Sequence, residues 1–218
     1  MLAGATEAHL AALHAALRAV HGTDALGPRP AIRAGRTDGE IARMILLEAG
    51  VSAERIDERA DAVRERCSRA YVRLCPADLS DRVLPGVLDT LEWLHGRAGV
   101  TLGLLTGNFE PVARVKLGRA GLGGFFAPGQ GAFGSDSEDR AALPAIARRR
   151  AGRRGAPYAR ERTVVVGDTP RDIACARADQ VRCVAVASGP FRVAQLDGAD
   201  AVVRNAYELP AVLADLGV

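Results

Sequence analysis

Thr163-Val164-Val165-Val166-Gly167-Asp168-Thr169-Pro170-Arg171-Asp172 is the stretch on which the fold turns. Three consecutive valines read as a strand buried on both faces, the pattern of a parallel sheet covered by helices. Gly167 permits a sharp exit, so Asp168 emerges at the strand tip. Pro170 suits the first turn of a following helix and places Asp172 within that turn. Val100-Thr101-Leu102-Gly103-Leu104-Leu105-Thr106-Gly107-Asn108 has the same build, an apolar run that stops in small and polar residues. Each segment brings polar groups to one edge of a sheet, where α/β folds bind their ligands.

Outward from these segments the chain alternates. After Gly86 the spacing predicts a helix marked by Leu88, Leu91 and Leu94, a strand over 100–105 and a helix over 109–120 with Pro111 in its first turn. A short strand near Ala132–Phe133, a helix over 138–150, the strand 163–167 and a helix over 170–178 follow. Strands over 182–187 and 201–203 and a last helix over 207–214 complete the pattern. Strands alternating with helices call for a parallel sheet with right-handed crossovers. Before residue 83 the periodicity is helical throughout. Residues 5–21 place Leu10, Leu13, Leu17 and Val20 on one face, with Gly22 as the stop. Thr37-Asp38-Gly39-Glu40 has capping-box spacing, and a longer helix from Ser52 turns Ile56, Val63, Cys67 and Leu74 toward a core. The expectation is an α/β fold: a doubly wound parallel-sheet core over 83–218 and an all-helical cap over 1–82.

Composition excludes several classes. At 48% hydrophobic and 25% charged residues the 218-residue chain is that of a globular protein, and no apolar run nears the roughly 20 residues of a membrane span. Glu7, His9 and His14 interrupt any apolar stretch that could serve as a signal peptide. Cys67, Cys75, Cys175 and Cys183 are widely spaced, which implies free thiols in a reducing cytoplasm rather than a zinc site. Net charge is +3, and a single lysine, Lys116, stands among 29 basic residues. The densest basic run, Arg148–Arg150 with Arg153 and Arg154, lacks interleaved aromatics and reads as a solvated helix end, so no nucleic-acid partner is expected.

The two strand ends carry the chemistry. Thr106-Gly107-Asn108 offers a hydroxyl and unobstructed backbone N–H groups to a phosphate, and is equally ordinary turn chemistry. Asp168 and Asp172, projecting from one strand–helix junction, suit Mg²⁺, a hard cation that takes oxygen ligands and keeps several waters. They also suit plain helix capping, with Asp168 as the cap and Asp172 in the first turn.

In this order and spacing the two segments resemble the second and fourth signature motifs of the haloacid dehalogenase-like hydrolases. Gly35-Arg36-Thr37-Asp38, Val83-Leu84-Pro85-Gly86-Val87, Gly131-Ala132-Phe133-Gly134-Ser135-Asp136 and Asp172-Ile173-Ala174-Cys175-Ala176 resemble a phosphoglycolate-phosphatase-like branch of that superfamily. The resemblance implies an Mg²⁺-dependent hydrolase of a small phosphorylated metabolite, a cytoplasmic monomer or homodimer that works through an aspartyl-phosphate. It implies that Thr106, with Gly107 and Asn108, binds phosphate, that Asp168 is a metal ligand, and that Asp172 supports the metal shell through its waters. The third motif is a lysine; Lys116 is the candidate for that catalytic and phosphate-binding role, with Arg140 as the fallback. Arg36, Thr37 and Asp38 are the candidates for substrate contacts from the cap, beside their simpler reading as a helix-capping turn. A sugar phosphomutase and a metal-free dehalogenase belong to the same superfamily, and the two aspartates argue against the latter.

The superfamily's first motif, Asp-x-Asp-Gly-Thr on an opening strand, supplies the nucleophile and general acid, and these 218 residues do not contain it. The chain opens Met1-Leu2-Ala3-Gly4. The fold places that strand between the ones ending in Thr106 and Asp168. Its loss leaves two rows of backbone groups unpaired, each buried one costing roughly 1–3 kcal/mol against a total stability of about 5–15 kcal/mol. Three outcomes are open: the neighbours close up, another segment fills the slot, or the natural protein starts upstream, which is the expectation here. The chain as written is expected to be inactive. The alternative is a non-catalytic protein of this fold that binds a phosphorylated ligand or a protein partner.

Overall fold

The computed structural model describes residues 1–2, 7–24, 34–153 and 155–218. Residues 5 and 6 of the expected first helix, and Arg154 of the basic run, lie outside them. Among the described residues three helices precede the alternating part: α1 (Glu7–His21), α2 (Asp38–Glu48) and α3 (Ala53–Leu74). Thr37 caps α2, its hydroxyl accepting from the Glu40 amide at 3.1 Å, and Ser52 caps α3 in the same way. Ala12, Leu13, Ala16 and Leu17 of α1 pack with Ile56, Val63, Cys67 and Tyr71 of α3, as the 3.6-residue period requires.

The remainder alternates: α4 (Val87–His95), β1 (Leu105–Thr106), α5 (Glu110–Arg119), β2 (Ala132–Phe133), α6 (Leu143–Ala151), β3 (Val164–Gly167), α7 (Pro170–Ala178), β4 (Arg182–Val186), β5 (Ala201–Val203) and α8 (Leu209–Asp215). All paired strands are parallel. The chain is therefore α/β with a doubly wound, Rossmannoid core. Val164, Val184, Val186 and Val203 face one apolar cluster; Val165, Cys183 and Ala185 face a second, closed by Ile173, Ala176 and Leu196. Alternate residues of one strand thus feed opposite faces, the requirement for a sheet covered on both sides.

The sheet is in two pieces, β1–β2 and β3–β4–β5. Among the described residues no backbone hydrogen bond joins β1 to β3. The expected strand over 100–105 is accordingly shorter and later, Leu105–Thr106, because it has a ladder on one side only. Gly131 lies against it: φ is +90°, and a Cβ there would stand 2.8 Å from the Leu104 nitrogen. The helix expected over 138–150 begins instead as a 3₁₀ turn at Arg140–Ala142 and becomes α6 at Leu143, with Pro144 in its first turn. At the amino terminus, Leu2 bridges Val83 in antiparallel sense and the Leu84 amide donates to the Met1 carbonyl at 3.0 Å.

Candidate active site

The mouth of the sheet is built by the turns after β1 and β3 and by segment 35–38, which belongs to the helical region expected as a cap. Gly107 and the cap touch at backbone level. A Cβ at Gly107 would collide with the Arg36 carbonyl oxygen and stand 2.8 Å from the Thr37 Cα, while the Asp38 amide donates to the Gly107 carbonyl at 2.8 Å. One residue earlier in the cap, a Cβ at Gly35 would stand 2.7 Å from Thr169 Oγ1. Adjacent cap residues therefore contact the end of β1 and the end of β3, so both strands point the same way into one mouth. Gly107→Ala is expected to destabilise the fold by about 1–3 kcal/mol, because backbone rather than a flexible side chain must move. Urea denaturation monitored by circular dichroism measures it.

The turn after β1 is tightly braced. The Asn108 amide donates to Thr106 Oγ1 at 3.2 Å, and the Gly134 amide to the Asn108 carbonyl at 2.9 Å. Asp38, buried beneath the turn, accepts from the Phe109 amide at 2.8 Å and lies 3.0 Å from His9 Nε2. Thr37, fully buried, donates to the Glu138 carbonyl at 2.7 Å while capping α2. Thr37 and Asp38 are thus committed to joining cap and core. Arg36 pairs with Glu40, and burial, then the neighbouring Arg171 charge, lowers its pKa.

At β3, Thr169 rather than Asp168 is the cap of α7, and Asp172 completes a capping box with it. Asp172 Oδ2 accepts from the Thr169 amide at 2.9 Å, Thr169 Oγ1 at 2.8 Å and the Asp168 amide at 3.1 Å; Oδ1 accepts from Arg140 Nη2 at 2.5 Å. Asp168 sits against Gly189, where a Cβ would lie 3.0 Å from its Cγ. Burial, and then the charge of Asp172, raises the Asp168 pKa above the ordinary 3.8. The Met1 amino group lies near this acid pair; burial lowers its pKa, and Asp168 and Asp172 oppose that.

Asp168 and Asp172 therefore come together, with Arg140 beside them. Lys116 stands on the β1 side of the mouth: its Nζ donates to Asn108 Oδ1 at 2.9 Å and lies 5.8 Å from the centroid of the Tyr71 ring. Burial lowers its pKa, opposed first by Asp38. Arg171 and His9 were not foreseen as parts of this mouth. Arg171 lies inside the decisive stretch without a pattern that marks it, and His9 gives no signal because its partner Asp38 is 29 residues away.

A metal needs a carboxylate with oxygens to spare. Asp172 has its oxygens engaged by four donors, whereas half-buried Asp168 is the carboxylate left to serve as a single protein ligand to a water-rich cation such as Mg²⁺. Among the described residues no group of three His, Cys, Asp or Glu is arranged to hold a metal.

A family model described as haloacid dehalogenase-like hydrolase matches residues 7–177, and one described as HAD-hydrolase-like matches 140–216. Among solved structures, CbbY from Rhodobacter sphaeroides in complex with phosphate is 23% identical, with TM-score 0.65 over 96% of this chain and 92% of that one. The β-phosphoglucomutase of Clostridium difficile is 14% identical, with TM-score 0.69 over 100% and 93%. A HAD hydrolase of family IA, variant 3, from Entamoeba histolytica is 15% identical, with TM-score 0.60 over 97% and 92%. The comparison with curated proteins gives no match.

Proposed function

Because the chain belongs to the haloacid dehalogenase-like hydrolase family, we propose that its mouth binds a small phosphate monoester for Mg²⁺-dependent hydrolysis through an aspartyl-phosphate. The observation that carries this reading is the convergence of two turns under one cap segment, Thr106-Gly107-Asn108 from one side and Asp168 from the other. Thr106 Oγ1 and the backbone N–H groups of its turn supply donors to a phosphoryl group. Members of the family generally use Mg²⁺; held by Asp168, it would neutralise charge on the phosphoryl oxygens. Asp172 positions Asp168 by accepting from its amide, and Arg140 holds Asp172. Substrates of the sugar-phosphate class suit the neighbours' printed names, β-phosphoglucomutase and a CbbY with xylulose-1,5-bisphosphate.

The nucleophilic carboxylate is absent from these 218 residues, so they are expected to bind and not to turn over. Titration calorimetry with Mg²⁺ and inorganic phosphate, alongside a phosphate-ester hydrolysis panel, tests both halves. Phosphate binding strengthened by Mg²⁺, without hydrolysis, is the expected result; no phosphate binding with or without Mg²⁺ overturns the reading.

The position of the third-motif cation is open to a direct comparison. Arg140 is the group beside Asp172, and Lys116 braces Asn108 from below. Arg140→Ala is expected to weaken Mg²⁺-dependent phosphate binding at least tenfold. Lys116→Met, which keeps an apolar stem over Tyr71, is expected to weaken it less than threefold. The reverse order would assign the role to Lys116.

A non-catalytic binder is the second reading, favoured by the absence of a nucleophilic carboxylate from these 218 residues. Its signature is ligand-induced stabilisation with no turnover even after a nucleophilic carboxylate is supplied.

A further inference from the structure

The turn after β1 leads into a helix that does not cap itself. Phe109 stands at the cap position of α5 and has no side-chain oxygen to offer. Two amides at this start are met from elsewhere: that of Glu110 donates to Ser135 Oγ at 2.8 Å, and that of Phe109 to Asp38 Oδ2 at 2.8 Å. Asp38 reaches further than one cap requires. Its amide donates to the Gly107 carbonyl at 2.8 Å, and its Oδ1 accepts from Asn108 Nδ2 at 3.4 Å. One buried residue of α2 thus holds three consecutive residues of the turn, Gly107, Asn108 and Phe109.

The polarity of this network is fixed, because backbone N–H groups and a lysine ammonium only donate and an ionised carboxylate only accepts. Lys116 pins Asn108 Oδ1 and so turns Asn108 Nδ2 toward Asp38. The Asn108 main-chain amide donates to Thr106 Oγ1, which leaves the hydrogen of that hydroxyl to a bound anion. Behind Asp38 stands His9 of α1, whose Nε2 carries the hydrogen of the 3.0 Å contact with Oδ2. Its ring is buried and held edge-on to Tyr71, with centroids 5.6 Å apart. We propose that Asp38 is a positioning residue for phosphate binding and that His9 acts through it. Together they hold Thr106-Gly107-Asn108 in the conformation that receives a phosphoryl group, and neither touches that group. The role rests on the proposed phosphate-binding reading of this turn. It differs from a substrate contact: a carboxylate against a phosphoryl group would repel it, whereas both oxygens of Asp38 face donors of the protein itself. Lys116 has the smaller share, since it meets Asn108 alone.

The test compares four proteins: the parent, Asp38→Asn, His9→Phe and His9→Gln. Asparagine keeps the shape of Asp38 but turns an amide donor on Phe109 or on Asn108, which are donors themselves. Phenylalanine keeps the edge contact with Tyr71 and loses the hydrogen bond, whereas glutamine places a donor nitrogen where Nε2 stands. Each is titrated calorimetrically with inorganic phosphate at saturating Mg²⁺, at a temperature where circular dichroism shows all four folded. Asp38→Asn is expected to bind phosphate about tenfold or more weakly than the parent, and His9→Phe about threefold or more weakly. His9→Gln should recover to within about twofold, a result that follows the hydrogen bond and that a packing role would not give. Amide exchange at Asn108 and Phe109 should quicken about tenfold in Asp38→Asn. Phosphate affinity in Asp38→Asn within threefold of the parent, or unchanged exchange in the turn, overturns the proposal. Equal losses in the two His9 variants overturn the part assigned to His9. Should Asp38→Asn fail to fold, the His9 pair decides alone. A parent that binds no phosphate sinks the proposed function and this role with it; a parent that binds, with variants that bind alike, sinks the role only.

Discussion

Asp168→Asn is expected to weaken Mg²⁺ binding, and with it Mg²⁺-dependent phosphate binding, by more than tenfold while leaving the fold at least as stable at neutral pH. The two halves come from one environment. Burial and the charge of Asp172 both work against an ionised Asp168, which is why its pKa lies above the usual value. A site that disfavours its own anion gains from a cation and is relieved by a neutral amide of the same shape. Asparagine keeps the contact with Gly189 and removes the repulsion. Calorimetric Mg²⁺ titration and thermal unfolding of the same samples read both effects. Unchanged Mg²⁺ affinity would remove Asp168 as the ligand. A large drop in Tm would mean that its charge holds the Met1 amino group in place more strongly than Asp172 repels it. Asp172→Asn should behave oppositely. It weakens acceptance from Thr169, from the Asp168 amide and from Arg140, so its main cost is to the start of α7.

This contrast between two aspartates four residues apart marks where the sequence is informative and where it stops. The run Val164–Asp172 is local: valines in register, a glycine exit, a proline at the first helical position. The structure follows it, with β3 at Val164–Gly167 and α7 at Pro170–Ala178. Capping-box spacing is legible at Thr37-Asp38-Gly39-Glu40, whereas at Thr169–Asp172 the box is masked by a second aspartate, Asp168, which makes a shared metal role the more visible pattern. Partners distant in sequence were invisible. Arg140 reaches Asp172 across 32 residues, and Asp38 joins His9 across 29 and Phe109 across 71. Lys116 could be singled out only because it is the chain's single lysine, and scarcity says nothing about direction. Its Nζ reaches Asn108 of the turn after β1, with the Tyr71 ring of α3 5.8 Å away. The unpaired backbone that the sequence implies is present as two separate sheet pieces, so among the described residues the two neighbours have not closed up. The length of β1 could not be foreseen, since a strand's extent depends on neighbours that its own residues do not encode.

Asp179→Ala is expected to produce the largest loss of stability, about 3–5 kcal/mol, the cost typical of stranding one member of a buried ion pair. Asp179 follows α7, and its side chain is 3% exposed, facing Arg148 of α6 at 8%. The guanidinium grips it in two places, at 2.5 Å through Nε and 3.0 Å through Nη2, and donates to the Tyr158 carbonyl at 2.5 Å. Arg160 adds a bond to the same carboxylate at 3.2 Å and another to the Asp179 carbonyl at 2.7 Å. One carboxylate therefore ties α6, the segment before β3, and the end of α7. These elements flank β3, which among the described residues has a ladder only on its β4 side. Alanine leaves Arg148 charged, buried and unpaired. The pair's hydrogen bonds with Arg148 lower the Asp179 pKa below the ordinary 3.8, the Coulombic pull of Arg148 and Arg160 adding to them. The stabilisation from that shift is thus present above about pH 3.8, and it is lost as pH falls through the lower folded-state value. Asp136, gripped by Arg150 at 2.7 Å through both oxygens, also has a lowered pKa and contributes in the same window. Urea midpoints measured from pH 2 to 7 should fall steeply at the acid end in the parent and less steeply in Asp179→Ala. Replacing both partners, Asp179→Leu with Arg148→Met, should recover much of the loss at pH 7, because no charge is then stranded. Failure of the double variant to recover would place the energy in Arg160 and the Tyr158 carbonyl instead.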